Sequence, residues 1–399
     1  MDLTLPTEVE TVRVRARAFV EEVLLPLEAE PGSFGEGEHL REDLLADLRG
    51  QAKARGLWCP QMPVERGGQG LSTVGMAATY EELGRSRFGP VACNCAAPDD
   101  GNMLVLEKVA TPEQKVEWLQ PIADGRARSS IVMTEPAPGS GSDPAGMMLT
   151  RAERRGDRYV VRGRKWFITG AEGAEIFLLL ARTLDDPRRG LTAMLFHRDQ
   201  PGWRILRRIP IMGPEEHGGH CELELDGLEV PLENVLLGEG LGMKVTQIRL
   251  GIARLTHCMR WLGMARRALE IAEPYIRERR AFGQALAEKE SVQGMLGEAA
   301  MAIEIGRLLT MRAAWLLEQG GQARKEVSMA KIQVADALHR AVDTAIQLLG
   351  ARGYSKDTPL EWMYRYARQA RLVDGASEVH RMVVARELLR DVKGFFAWS

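Results

Sequence analysis

Apolar residues recur three or four positions apart over residues 12–25 and 44–57, the spacing that lays one hydrophobic stripe along an α-helix. Helical spacing of this kind runs from Thr7 to about Ala123, broken by loops such as Glu65-Arg-Gly-Gly-Gln-Gly70, and predicts a helix-rich first unit. After Gly125 the period changes. Short alternating or wholly apolar runs at 159–170, 175–181, 191–196 and 221–226, separated by turn clusters, predict a mostly β middle unit. Beyond the glycines of 238–242, helical patterns return over about 246–280, 290–318 and 324–350, with shorter ones near 359–373 and 376–392. Long helices joined by short Gly-containing breaks predict an antiparallel bundle. The pattern therefore describes an α+β, mainly α chain: an N-terminal helical domain (1–125), a β-barrel-like middle domain (126–240) and a C-terminal helical bundle (241–399).

Composition narrows the function classes. The 399 residues exceed what one core usually supports, in keeping with several units. A formal charge of -2 provides no global field for nucleic acid or an anionic membrane, so an anionic ligand must be gripped locally. The first ten residues lack a basic segment followed by an apolar one, and no later stretch has the length of a membrane span, which predicts a cytoplasmic protein. Five cysteines without CxxC spacing read as reduced thiols. His217-Gly-Gly-His220 offers two imidazoles and no third ligand nearby, so no metal site is assigned.

Candidate chemistry begins at Ile131-Val-Met-Thr-Glu-Pro-Ala-Pro-Gly-Ser-Gly-Ser-Asp143, where an apolar strand runs into a turn rich in Gly, Ser and Pro. Exposed backbone N–H groups and hydroxyls in such a turn suit an anionic or heterocyclic ligand, though a solvated loop would look alike. Lys165-Trp-Phe-Ile-Thr169 follows. Together these stretches resemble the paired flavin-binding segments of the acyl-CoA dehydrogenase family, Thr-Glu-Pro-Gly-Ala-Gly-Ser-Asp and Trp-Ile-Thr, with a loop two residues longer and Phe in place of Trp. Glu278-Arg-Arg-Ala-Phe-Gly283 resembles the family's Arg-Lys-Thr-Phe-Gly, and Gln347-Leu-Leu-Gly-Ala-Arg-Gly353 its Gln-x-x-Gly-Gly-x-Gly turn. The segment from Tyr364 to His380, with Asp374-Gly-Ala-Ser-Glu-Val-His380 and a Val-Ala-Arg helix after it, is similar to the closing motif, in the variant of the branch containing family members ten and eleven. The resemblance extends from about residue 10 to the end.

What the resemblance implies is specific. FAD would be contacted by Ile131, Met133, Thr134, Ser142, Phe167, Thr169, Phe282, Gly350, Gly353, Ala376 and Glu378, and, across a homodimer or homotetramer interface, by Arg279 and Gln347. Ser142, Arg254 and Gly375 would meet the acyl-CoA substrate. Asp374 takes the place of the family's catalytic Glu and would remove the α-proton of the thioester while the β-hydride passes to flavin N5, giving a trans-2-enoyl-CoA and sending electrons to an electron-transfer flavoprotein. The side chain is one methylene shorter than Glu, and burial against a flavin would raise its pKa. On residue type alone Asp374 could instead cap the last helix, and the arginines at 365, 368 and 371 read first as a solvated helix face and second as a site for the CoA phosphates. The rival functions are a flavin oxidase of the same fold, like the nitroalkane oxidases, and a catalytically silent helical scaffold.

Overall fold

The computed structural model describes residues 4–141, 143–186 and 189–397. Helices α1 (Thr7–Phe19), α2 (Glu42–Ala54), α3 (Thr73–Leu83) and α4 (Asp99–Val109) build the first unit. Seven strands follow: β1 (Ser129–Val132), β2 (Arg151–Arg155), β3 (Arg158–Thr169), β4 (Ile176–Arg182), β5 (Leu191–His197), β6 (Trp203–Arg208) and β7 (His220–Pro231). The bundle consists of α5 (Gly242–Glu278), α6 (Glu290–Glu318), α7 (Arg324–Leu349), α8 (Leu360–Gln369) and α9 (Ser377–Arg390).

The strands form one sheet in the order β1-β4-β2-β3-β7-β6, with β5 paired to β4; β1 and β2 run parallel to β4 and the other pairs are antiparallel. Strands β4 and β5 are buried on both faces, which is why each reads as an unbroken apolar run rather than an alternation. One face, with Leu178, Leu180, Ala193 and Leu195, packs against the first unit and Val245 of α5. The opposite face, with Phe177, Leu179, Met194 and Phe196, packs within the sheet unit itself.

Helix α5 joins everything. Its Cys258, Trp261 and Leu262 belong to the bundle core, while Leu255 and Met259 belong to the core of the first unit. Glycines permit the α3–α5 crossing: a Cβ at Gly263 would lie 2.0 Å from the Glu81 carbonyl oxygen, and one at Gly84 2.2 Å from that of Arg260. Among the described residues, no helix is long and apolar enough to cross a membrane.

Candidate active site

Three helices converge on the turn between α8 and α9. Asp374 sits there in the left-handed region at φ 53°, followed by Gly375 at φ 102°. Such a backbone costs a non-glycine residue energy and persists only where its surroundings hold it. Here Arg254 Nε of α5 donates to the Asp374 carbonyl at 2.7 Å, with His380 Nε2 of α9 at 3.4 Å from the same oxygen. Lys331 Nζ of α7 donates to the carbonyls of Ala370 and Gly375, each at 2.8 Å. A Cβ at Gly375 would come within 3.1 Å of His380 Nε2, so the clamp needs glycine there for space as well as for φ. The Asp374 N–H takes no part in backbone hydrogen bonding among the described residues.

The carboxylate meets different groups. Arg249 Nη1 is 3.5 Å from Oδ1 and His257 Nε2 is 3.4 Å from Oδ2. The histidine's approach is poorly aligned, and Oδ2 is buried without a hydrogen-bond donor. Burial alone would raise the Asp374 pKa, but His257, Arg249 and Arg254 outweigh it and hold the carboxyl well below the usual carboxylate range. The raised value expected from sequence is thus corrected, because that reading had not placed these donors around the side chain. Asp374 is not a helix cap either: α9 begins at Ser377 with Ala376 as its N-cap and no side-chain cap bond.

A hydrogen-bonded path runs from this turn to the sheet. Arg249 Nε donates to Asn102 Oδ1 at 3.2 Å, and Asn102 Nδ2 donates to Ser129 Oγ at the start of β1 at 3.0 Å. Ile131 lies in β1, and Met133 and Thr134 just beyond it. Buried Lys165 donates to the Met133 carbonyl at 2.8 Å and pairs with Glu135 at 3.1 Å, while Glu135 accepts from the N–H groups of Leu149 and Thr150. Thr134 is bonded twice to Trp166, through its hydroxyl to the Trp166 carbonyl at 2.8 Å and its carbonyl to the Trp166 N–H at 3.0 Å. At the adjoining break in register of β3, Phe167 adopts φ 52° and stays 43% exposed; Thr169 Oγ1 contacts His220 Nδ1 at 3.0 Å. The two motif segments are therefore side by side. Ser142 lies outside the described residues.

The third group is elsewhere. Arg279, Phe282 (98% exposed), Gln347 and Gly350 are exposed at the far ends of α5 and α7, where Arg352 lies over the Tyr275 ring. Roughly 25 residues of α5 separate Arg279 from Arg254, about 37 Å at the helical rise. Gly353 is buried, and a Cβ on it would lie 2.7 Å from the Ile346 carbonyl oxygen. Glu378 is exposed and paired with Arg381.

A cavity of about 70 Å³ opens beside His257, the neighbour of Asp374, and is walled by Arg260, Trp261, Glu216, His217 and Tyr366 among others. His217 turns to Glu42 at 2.8 Å and His220 to Thr169, so the two imidazoles diverge. Arg365 is not the solvated cation expected from sequence: it binds Glu38 of the first unit, Glu361 and the Met212 carbonyl. Arg249, His257, Lys331 and His380 escaped the sequence reading as site residues. A lone cation or imidazole on an apolar helix has no motif of its own, and only the i, i+3 pair His257 and Arg260 hints at a shared face.

Three family models cover the chain almost end to end: acyl-CoA dehydrogenase N-terminal domain (residues 6–126), middle domain (130–228) and C-terminal domain (240–389). The chain belongs to the acyl-CoA dehydrogenase family. Its relatives include FadE2 of Mycobacterium tuberculosis, named a probable acyl-CoA dehydrogenase, 37% identical over 100% of this chain and 99% of that one. Human acyl-CoA dehydrogenase family member 11 is 37% identical over 96% of this chain, which spans about half (50%) of that longer protein. Among solved structures, butyryl-CoA dehydrogenase from Megasphaera elsdenii superposes with a TM-score of 0.86 at 27% identity, covering 98% of this chain and all (100%) of that one. A chain from work on the electron transferring flavoprotein of Acidaminococcus fermentans gives 0.85 at 29% identity, covering 98% of this chain and 100% of its own. The membership makes the protein an oxidoreductase by family.

Proposed function

We propose that the protein is an FAD-dependent acyl-CoA dehydrogenase that introduces a trans-2 double bond into an acyl thioester, with Asp374 as the base that takes the α-proton. The observation that carries the reading is the Asp374 turn: a carboxylate with a buried, unpartnered oxygen, on a backbone clamped by Arg254, Lys331 and His380. A base must be ionised and fixed before the substrate arrives. The basic neighbours favour the ionised form, and the clamp holds its backbone in a left-handed conformation in which the Asp374 N–H takes no backbone hydrogen bond. That N–H is suited to receive the thioester oxygen as enolate charge develops.

The residues present fit a flavin. Phe167, 43% exposed in a left-handed bulge beside the Thr134 segment, leaves an aromatic ring open to a planar ligand there. Ile131, Met133, Thr134, Phe167 and Thr169 would hold the ring system, with Ser142, Ala376 and Glu378 as further contacts of the cofactor and Gly375 as one of the substrate. Bound there, FAD supplies the acceptor for the β-hydrogen and its electron pair. The ~37 Å between Arg254 and Arg279 supports reading Arg279, Phe282, Gln347, Gly350 and Gly353 as contacts to the cofactor of a second copy in a dimer or tetramer. Electrons then leave to an electron-transfer flavoprotein.

Anaerobic mixing with a panel of acyl-CoA thioesters, read as loss of flavin absorbance, tests the reading. D374N is expected to retain flavin and to bleach slower by two orders of magnitude or more, on the order of a lost general base. Bleaching at the parent rate in D374N refutes the assigned base, and rapid peroxide formation from nitroalkanes in air, with no bleaching by any thioester, refutes the reaction.

A further inference from the structure

His257 lies at the meeting of the base and the cavity. Its ring stacks on Trp261, with centroids 4.9 Å apart and planes 21° from parallel. Behind it, Arg260 Nη1 is bound to Asp100 and to the Cys95 carbonyl, and Arg260 Nη2 lies 3.3 Å from His257 Nδ1. A guanidinium can only donate, so Nδ1 is the acceptor and the ring proton sits on Nε2, the nitrogen 3.4 Å from Asp374 Oδ2. A buried file of side chains, Asp100 to Arg260 to His257, thereby holds one N–H 3.4 Å from the carboxylate oxygen that has no hydrogen-bond donor.

We propose that His257 is a positioning residue for the proposed dehydrogenation: its Nε2–H, fixed by Arg260 and Asp100, sets the rotamer of the Asp374 carboxylate and keeps Oδ1 and Oδ2 unequal. The inference rests on Asp374 being the base. Aspartate needs such a guide more than glutamate would, since the shorter side chain reaches the α-carbon through a narrower range of rotamers and a misplacement of about 1 Å costs roughly a hundredfold in rate. Oδ1 faces Arg249; Oδ2, offered an imidazole N–H that is near but misaligned, stays open to an incoming proton. The other charged groups around Asp374 are Arg254 on the same helix, Lys331 from α7 and His380 from α9, and those three bind backbone carbonyls of the turn rather than the carboxylate. His257 is thus separable from them by mutation.

The test uses the purified holoenzyme. H257F keeps a ring against Trp261 and removes both nitrogens; H257Q restores a donor. Flavin reduction is expected to slow roughly ten- to a hundredfold in H257F at neutral pH, with its acidic limb moved to higher pH by about one unit, and H257Q is expected to recover part of both. A second readout does not depend on turnover: the drop in Tm caused by H257F in the parent should vanish in a D374N background, because the donor has lost its carboxylate. Equal Tm losses in both backgrounds, an unmoved acidic limb, or identical defects in H257F and H257Q each overturn the proposal. If D374N itself reduces flavin at the parent rate, the base assignment has failed; if D374N is inactive while H257F leaves the limb in place, only the role of His257 has failed.

Discussion

Lys331 is the residue whose loss should be read most directly at Asp374. Its amine is buried, forms no salt bridge among the described residues and is held by two main-chain oxygens. Burial pushes its pKa down to about 8. K331M fills the same volume without donors and would leave the Ala370 and Gly375 carbonyls unpaired. Each orphaned buried carbonyl costs about 1–3 kcal/mol, so urea denaturation should show a loss within that range for one and up to twice it for two. Flavin content should hold while the rate of flavin reduction falls about tenfold, because the turn that aims Asp374 is released. A loss of stability with an unchanged reduction rate would show that the clamp is dispensable. The Asp374 turn could be picked out in the sequence because the Asp-Gly and Val-Ala-Arg spacing survives in one dimension; its electrostatic setting could not, because Arg249, Lys331 and Asp374 are distant along the chain and meet only once the bundle has closed.

At the scale of elements, the close passage of α3 and α5 positions His257 and Arg260 against the first unit. G263A would place a methyl 2.0 Å from the Glu81 carbonyl, and the helices would have to part. The expected cost is about 1–3 kcal/mol or more, the range for overpacked interiors, measurable as a lower urea midpoint with little change in slope. Helix periods were legible because the amphipathic stripe repeats over many turns, and five bundle helices were anticipated close to their observed limits. Strands β2 and β6 were not. Arg151-Ala-Glu-Arg-Arg155 and Trp203-Arg-Ile-Leu-Arg-Arg208 are rich in charge, and their arginines pair with carboxylates, the exposed Asp185, the half-buried Glu224 and the buried Glu222. Strands with solvated faces lose the apolar run that marked β4 and β5. The bulge in β3 that turns Phe167 outward was equally hidden, since left-handed φ at a phenylalanine is imposed by pairing with β7 and not by composition.

Across the whole molecule, buried ion pairs fasten elements within and between the units. Glu82 of α3, 1% exposed, is held by Arg13 and Arg17 of its own unit and by Arg266 of the bundle, and within the middle unit Glu135 is held by Lys165. Burial works against ionisation of both carboxyls, yet Arg266 and Arg17 on one side and Lys165 with the Leu149 N–H on the other bring each pKa to about 2. Folded values below the unfolded ones mean that the stabilisation is complete above the ordinary carboxylate range and is lost as pH falls towards 2. The protein should therefore lose Tm between about pH 4.5 and 2, and E82Q, by stranding buried guanidinium groups, should cost about 3 kcal/mol at neutral pH while flattening that acid dependence. Arg365 extends the same logic, one side chain fastening α8 to Glu38 and to the Met212 carbonyl of the loop after β6.

The clamp on Asp374 also bears on synthesis. Arg249, Arg254 and Lys331 leave the ribosome well before the turn whose carboxylate and carbonyls they bind, and His380 follows that turn. Until then these basic groups lack their partners from the turn, and bringing such cations together unpartnered disfavours closure of α5 on α7. The last helical hairpin thus brings in, with the proposed reactive group, the partners that let these basic groups be buried as the domain shuts.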